Sequence, residues 1–228
     1  ILLHYLDKPK NIHPNRSVSS IKLVDNTCRQ TYSTNSLVKI YIGPIYCGVY
    51  LMVKTTSIKV ETDLAVKMRD GITLYADLYR PDQNEPFPTI IQRTPYDKSS
   101  PLSNQMLDPI KTAKAGFAYL IQDTRGRYTS DGKFDVFIDE INDGYDTIEW
   151  AAIQPWSTGK VGMCGASYVG ATQWLAAISQ PPHLAAIAPN VTASNYHNGW
   201  TYQGGAFELG FTISWTMVQL TLANFRNL

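Results

Sequence analysis

The chain has 228 residues, of which 44% are hydrophobic and 17% charged, with a formal net charge of +1. This composition excludes a disordered chain, because there are enough apolar side chains to offset the cost of ordering the backbone, and the near-neutral charge gives no reason to expect a nucleic-acid partner. The charge is unevenly placed, with eight basic against two acidic residues over 1–60 and ten against sixteen over 61–149. The sequence therefore reads as three parts.

Residues 1–59 carry short runs of Ser, Thr, Tyr and Ile without a clean period, which indicates weak β or irregular structure. Their most apolar stretch, Ile40–Val53, is too short to span a bilayer and contains two glycines and a proline, so it favours a pair of strands over a membrane segment. The three cysteines, Cys28, Cys47 and Cys164, lack the spacing of a zinc site or a disulfide framework, and we interpret them as free thiols.

From Glu61 onward the pattern sharpens into alternating strands and helices. Asp70-Gly71 predicts a hairpin, and the residues from Ile72 to Tyr79 alternate apolar and polar as a half-buried strand does. Further strands are predicted over residues 89–93, 117–122, 160–164 and 184–188, and helices over 106–115, 139–152 and 168–178. This alternation predicts an α/β fold with a mostly parallel sheet covered by helices on both faces and an antiparallel leading edge.

The predicted helix over 139–152 has an apolar face at helical spacing, made of Ile141, Tyr145, Ile148 and Ala152. Its acidic residues are interpreted as a solvated face, and these are Asp143, Asp146 and Glu149.

Residues Gly165–Gly170 lie between a predicted strand and a predicted helix. A nucleophile elbow holds its serine in a strained turn and needs small neighbours, which Gly165, Ala166 and Gly170 supply around Ser167. Counted strictly, however, the second glycine of G-x-S-x-G comes one place late. The motif alone leaves two interpretations open: a nucleophilic serine, or an ordinary tight turn in which Ser167 caps the helix.

A serine hydrolase of this fold also needs an acid and then a histidine after the nucleophile. The histidines after Ser167 are His183 and His197, and the one acid is Glu208, which follows both of them. The required order is therefore not met within the chain.

Seven blocks occur in an order typical of one known family. They are Met68–Gly71, Leu78–Pro81, Arg93–Lys98, Gln122–Gly126, Ser130–Gly132, Asp143–Trp150 and Gly159–Gly170. Together they resemble the amino-terminal half of the catalytic domain of the X-prolyl dipeptidyl-peptidase-like, or cocaine esterase-like, α/β-hydrolases. In that family the elbow reads G-x-S-Y, one further residue and G, so the late Gly170 is the family's own form.

The resemblance implies that Ser167 is the acyl-forming nucleophile. It also implies an oxyanion hole made by the backbone amide of Tyr168 and the phenol of Tyr96. Asp123 and Arg125 are interpreted as scaffold that fixes the loop toward Asp131-Gly132.

The family places its acid and histidine well beyond the elbow, after a helical cap. We therefore expect the chain to be a fragment truncated in the cap region and lacking both residues. The predicted parts are a basic extension over 1–59, a partial hydrolase domain over 60–205 and the start of the cap over 206–228.

The leading hypothesis is a serine hydrolase that cleaves a small-molecule ester or amide or a short peptide. An X-prolyl dipeptidyl-peptidase is the alternative within that class, and a non-catalytic binding protein on the same scaffold is the alternative outside it. The sequence predicts no cofactor, no metal, no nucleic acid and no membrane association. A cytoplasmic location is slightly favoured, and a homo-oligomer is left open.

Overall fold

The computed structural model describes residues 37–40, 49–52, 57–104 and 106–221. The chain divides into two compact units, Ile1–Thr55 and Thr56–Leu228. The finer three-part division at residues 59 and 205 stays a prediction.

In the first unit, strands β1 (Leu37–Ile40) and β2 (Val49–Met52) pair antiparallel, with Leu37 opposite Met52. This pair overlaps the stretch predicted to form two strands, although its first strand begins earlier. Residues 41–48 and 53–56 lie outside the described part of the chain, as do Cys28 and Cys47.

The second unit begins with the hairpin predicted from Asp70-Gly71. Strand β3 (Ile58–Lys67) pairs antiparallel with β4 (Thr73–Pro81), and Gly71 adopts a φ of +91° in the turn between them. On β4 the side chains of Leu74, Ala76 and Leu78 are fully buried, as the alternation predicts, but the polar Asp77 between them is buried as well. The hairpin forms the antiparallel edge of the sheet.

Four parallel strands continue this sheet: β5 (Phe87–Thr94), β6 (Ala118–Asp123), β7 (Ser157–Ala166) and β8 (Leu184–Asn190). The strand order is β3-β4-β6-β5-β7-β8, and β4 pairs antiparallel with β6. All six residues of β6 are buried, as expected for a strand in the middle of a covered sheet. The predicted mostly parallel sheet is confirmed.

Three helices connect the parallel strands: α1 (Pro109–Lys114), α2 (Glu140–Ala152) and α3 (Tyr168–Ile178). The connection from β5 to β6 runs one way along the sheet, whereas those from β6 to β7 and from β7 to β8 run the other way. Because such crossovers are right-handed, α1 covers one face and α2 and α3 cover the other. The helices therefore lie on both faces, as predicted.

Helix α1 starts three residues later than predicted, at Pro109. The side chain of Asp108 caps it by accepting from the amide of Lys111 at 2.9 Å. Proline at the first helical position has no amide to satisfy, and it disfavours helical geometry in the residue before it. The capped proline thus sets the boundary, and Gly116 at φ +91° follows the other end.

The apolar face predicted for α2 is half right. Ile148 and Ala152 are buried in the core under the sheet, but Ile141 and Tyr145 are only half-buried. The buried face also includes the charged or polar residues Glu140, Asp143 and Thr147, together with Gly144 and Ala151.

After β8 the chain forms a small hairpin, β9 (Tyr202–Gln203) and β10 (Ala206–Phe207), turning at two glycines with positive φ. Helix α4 (Leu209–Trp215) and a π-helical turn over Thr216–Thr221 follow. No helix among the described residues is both long enough and apolar enough to cross a membrane.

Candidate active site

Tyr96 and Ser167 follow the carboxyl ends of two neighbouring parallel strands. Tyr96 comes two residues after β5, and Ser167 comes directly after β7. The connections that leave these strands go to opposite faces of the sheet, so a crevice opens between them. In open α/β sheets, ligands bind in the crevice at such a switch point. The topology thus brings these two predicted site residues together.

The backbone at Ser167 has the strained geometry of an elbow. Its φ of 60° and ψ of −125° lie in a region that non-glycine residues rarely adopt, at a cost of about 1–3 kcal/mol. The amide of Ser167 donates to the Asn190 carbonyl at 3.0 Å and so ties the turn to the end of β8. Strain of this kind persists only where the surrounding structure enforces it.

The two glycines around the elbow are required by close packing. A Cβ on Gly165 would lie 2.1 Å from Val169 Cγ1, and one on Gly170 would lie 2.7 Å from Thr192 Cγ2. The late position of the second glycine in the motif therefore has a physical reason, which is the contact between α3 and the segment after β8.

The hydroxyl of Ser167 faces Tyr96. Within the described part of the chain, the Ser167 side chain makes no capping hydrogen bond to α3. The Tyr96 phenol accepts from Trp215 Nε1 at 3.1 Å, and the Ser167 hydroxyl is close enough to it to affect its ionisation. Burial raises the pKa of Tyr96, and the contacts with Trp215 and Ser167 offset part of that rise. The phenol thus stays protonated at neutral pH and can donate.

Tyr168 contributes its backbone amide, because its side chain is held elsewhere. The ring is 2% exposed and stacks on Phe137 at 4.5 Å, and its hydroxyl donates to Glu140 Oε1 at 3.0 Å while accepting from the Phe137 amide at 3.1 Å. As the first residue of α3, Tyr168 has an N–H without an intrahelical acceptor. Such amides stabilise an anion at a helix start.

An aromatic cavity of about 360 Å³ lies beside this arrangement. Its lining includes Trp215, whose indole also reaches Tyr96. The other lining residues are Val136, Phe137, Tyr196, His197, Trp200, Thr201, Phe211 and Thr212.

Neither histidine in the described part of the chain, His183 or His197, hydrogen-bonds with Ser167. His183 precedes β8 at the opposite end of the sheet: its carbonyl accepts from the Val161 amide, and its Nδ1 lies 2.7 Å from Glu149 Oε2. Val161 and Ser167 are six residues apart along β7, about 20 Å in a strand. His197 is exposed and stacks on Tyr202 at 4.7 Å.

The interpretation of the α2 acids as a solvated face is wrong for Asp143. Its side chain is 1% exposed and lies 2.6 Å from Arg125 Nη2 and 3.8 Å from Arg93 Nη2. Arg93 is fully buried and also pairs with Glu140, whose other oxygen accepts from Tyr168. The sequence analysis did not single out Arg93 or Glu140. The signal that could have indicated them is the polar residues on the face of α2 that is turned toward the sheet.

Asp123 and Arg125 were expected to fix the loop toward Asp131-Gly132; the contacts of Asp123 do so, whereas the ion pairs of Arg125 lead elsewhere. Asp123, fully buried, accepts from the Lys98 amide at 2.7 Å and from Thr129 Oγ1 at 3.0 Å. It therefore ties the loop that carries Tyr96 to the loop after β6. Arg125 instead pairs with Asp143 and, at 2.7 Å, with Asp70.

Asp123 should make stability depend on pH. Burial raises the pKa of Asp123 from 3.8 to about 6, although its hydrogen bonds and the charge of Lys98 lower the pKa in part. The Lys98 ammonium also pairs with Asp63 and Asp77. The folded state then binds more protons than the unfolded state between about pH 4 and 6, so this contribution falls as pH rises through that window, by about 3 kcal/mol in total. Urea unfolding of Asp123→Asn from pH 4 to 7 checks this. The gap in unfolding free energy, parent minus variant, should shrink with pH, whereas a constant gap would contradict it.

Among the described residues, no group of three His, Cys, Asp or Glu side chains could hold a metal ion.

Comparison with known proteins connects this geometry to one family. The sequence profile of the X-Pro dipeptidyl-peptidase (S15) family matches residues 70–227, which include both strand ends and the elbow. The chain belongs to this family. The resemblance drawn from the seven sequence blocks is thereby confirmed.

Individual proteins similar to this chain are also hydrolases. Cocaine esterase from Rhodococcus sp. (strain MB1 Bresler) is 41% identical over 160 residues, which are 69% of this chain and 28% of that protein. A CocE/NonD family hydrolase from Staphylococcus aureus superposes with a TM-score of 0.68 at 25% identity, covering 89% of this chain and 39% of its own. An α-amino acid ester hydrolase superposes with a TM-score of 0.60 at 26% identity, covering 73% of this chain and 30% of its own. The α/β-hydrolase fold is confirmed, and the chain spans less than a third of the cocaine esterase.

Proposed function

We propose that this chain carries the nucleophile and the oxyanion hole of a serine hydrolase that cleaves an ester or amide through an acyl-enzyme. Ser167 is the nucleophile, and the Tyr168 amide and the Tyr96 phenol bind the oxyanion. One observation carries the proposal: a serine in a strained turn at the switch point lies next to a half-buried phenol that follows the neighbouring strand.

The reaction follows from these positions. Ser167 Oγ attacks the substrate carbonyl carbon, its proton passes to a general base, and the carbonyl oxygen becomes an oxyanion held by Tyr96 and the Tyr168 amide. When the tetrahedral intermediate collapses, the leaving alcohol or amine takes that proton and the acyl group stays on Ser167. Water, activated by the same base, then releases the acid.

We infer that the general base and its acid partner lie outside these 228 residues. No Asp follows Ser167 in the sequence, and Glu208 follows both later histidines, so the order serine, acid, histidine is not available. His183 pairs with Glu149 at the far end of β7, which supports the same inference.

Among substrates, an ester with an apolar or aromatic acyl group fits better than a peptide with a free amine. None of the nine described residues that line the cavity beside Tyr96 is acidic, and six of them are aromatic or histidine. A dipeptidyl-peptidase needs negative charge near the substrate's amino group, because an unpaired ammonium is costly to bury. X-prolyl dipeptidyl-peptidase activity is the second candidate, and the family's description supports it.

A fluorophosphonate probe tests the proposal, since it reacts with a serine that a base activates. The 228-residue chain should label slowly, and a protein extended to the length of its relatives should label rapidly, with the adduct mapped to Ser167. Rapid labelling of the short chain would refute the placement of the base. Absence of labelling in the extended protein would favour a non-catalytic binding protein, and rates on aryl esters against Ala-Pro-anilide separate esterase from peptidase.

A further inference from the structure

We propose that Trp215 is a positioning residue for the oxyanion hole, and that it orients the Tyr96 hydroxyl so that its proton points toward the reacting centre. The inference rests on the proposed function of Tyr96 and assigns a role to α4, the helix that ends at Trp215.

The direction of the bond between the two side chains is fixed by their chemistry. An indole Nε1–H is only a donor, whereas a phenol hydroxyl can donate one proton and accept two. At 3.1 Å, Trp215 must therefore donate and Tyr96 must accept. The phenol proton therefore does not lie between Tyr96 and Trp215.

This contact selects one of two hydroxyl orientations. A phenol proton lies near the ring plane and points to one side or the other. The indole N–H occupies the Trp215 side, so the phenol proton points away from Trp215. The other side-chain neighbour of the phenol is the Ser167 hydroxyl, which can accept that proton. When a carbonyl oxygen becomes anionic beside Ser167, the donor already points that way, and accepting from Trp215 strengthens its own donation.

The rings hold this geometry in place. Tyr168 packs edge-on against Tyr96 at 6.4 Å and stacks on Trp215 at 6.3 Å, so the same residue that supplies the oxyanion amide contacts both members of the pair. Tyr96 and Trp215 are each half-buried, and the hydrogen bond between them is partly shielded from water. A preorganised donor of this kind costs little reorganisation during the reaction.

Trp200 is a matched control that distinguishes the proposed role of Trp215 from that of an ordinary cavity residue. Both tryptophans line the aromatic cavity, but Trp200 packs against Tyr196 and Phe211, at 5.5 Å in each case. Replacing either indole by phenylalanine keeps an aromatic ring, and only Trp215→Phe removes the donor to Tyr96. Trp200→Phe is therefore the control for effects that come from the cavity alone.

The first experiment is a double-mutant cycle in the extended protein with an aryl ester. We expect Tyr96→Phe to lower kcat about 100- to 1,000-fold, and Trp215→Phe to lower it about 5- to 10-fold, with a change in KM no larger than that of Trp200→Phe. In the Tyr96→Phe background, Trp215→Phe should have no further effect on kcat. Trp200→Phe should change KM and combine additively with Tyr96→Phe.

The second experiment needs no turnover. The chain has five tryptophans, so the indole N–H signals are few enough to resolve by ¹⁵N NMR, and Trp215→Phe assigns one of them. Tyr96→Phe should move that signal upfield and speed its hydrogen exchange, whereas Trp200→Phe should leave it in place.

The outcomes separate the two proposals. If Tyr96→Phe leaves kcat unchanged, the oxyanion role of Tyr96 fails and the proposed function has to be revised. If Tyr96→Phe lowers kcat but Trp215→Phe is equally harmful with and without the phenol, or the indole signal ignores Tyr96→Phe, only the role of Trp215 is overturned.

Discussion

Ser167→Ala in the extended protein is expected to lower kcat/KM for its ester substrate by roughly 10⁴- to 10⁶-fold, because the acyl-enzyme cannot form. The proposed oxyanion donors, the Tyr96 phenol and the Tyr168 amide, remain, so a small residual rate above that of water is expected. Steady-state kinetics and the initial burst of alcohol release measure the two effects. The burst should disappear completely.

Ser179→Ala is the matched control. Ser179 lies just beyond the other end of α3, where its hydroxyl donates to the Ala176 carbonyl at 2.7 Å. The eleven residues of that helix place it about 16 Å from the elbow. Activity within about tenfold of the parent in Ser167→Ala would show that another group attacks the substrate, while an equal loss in Ser179→Ala would indicate damage to the helix.

Local patterns predicted the elements that local chemistry specifies. The Asp70-Gly71 hairpin, the strands and helix α3 follow from turn residues and from apolar runs of the right length. The boundary of α1 was missed because the cap at Asp108 and the proline after it outweigh the apolar residues before them. The β9–β10 hairpin was missed because its strands have only two residues each.

The candidate site was predicted unevenly, for a physical reason. Ser167 and the Tyr168 amide belong to one continuous turn. Its strain and close packing require glycines, which can be recognised in the sequence. Tyr96 lies 71 residues earlier and comes to the site only because β5 and β7 are neighbours, so it required the family resemblance. Trp215 is 119 residues from Tyr96, and no local pattern indicates their contact.

The acidic residues of α2 were also predicted incompletely from the sequence. An acidic residue on a helix is usually solvated, so the sequence favours that interpretation for Asp143 and is silent on Glu140. What reverses the expectation is Arg93, an arginine on a fully covered strand that can be buried only if acids meet it there. The partner lies on another element, and only the three-dimensional arrangement shows the pairing.

Arg93→Met is therefore expected to destabilise the second unit by about 3–5 kcal/mol, because it leaves the buried carboxylate of Glu140 without its cation. Arg93 Nε donates to Gln122 at 2.8 Å, and its Nη1 pairs with Glu140. Burial already raises the pKa of Glu140, and losing Arg93 raises it further. Glu140 then binds a proton more tightly in the folded variant than in the unfolded one. The loss of unfolding free energy caused by Arg93→Met should therefore grow as pH rises above about 4.5. Urea unfolding from pH 4 to 7 measures it.

Two further variants test the cause of that loss. Arg93→Met/Glu140→Gln should recover part of the stability at neutral pH, because the unpaired buried charge is gone. Arg69→Met removes an arginine of the same length from an exposed pair with Asp146 at 2.7 Å, and it should cost less than about 1 kcal/mol. If Arg93→Met costs no more than Arg69→Met, the buried pair contributes nothing. If Glu140→Gln brings no recovery, lost packing and not an unpaired charge explains the destabilisation. The expected result would show that the buried pair of Arg93 and Glu140 stabilises the fold next to the elbow, where Glu140 accepts from the Tyr168 hydroxyl.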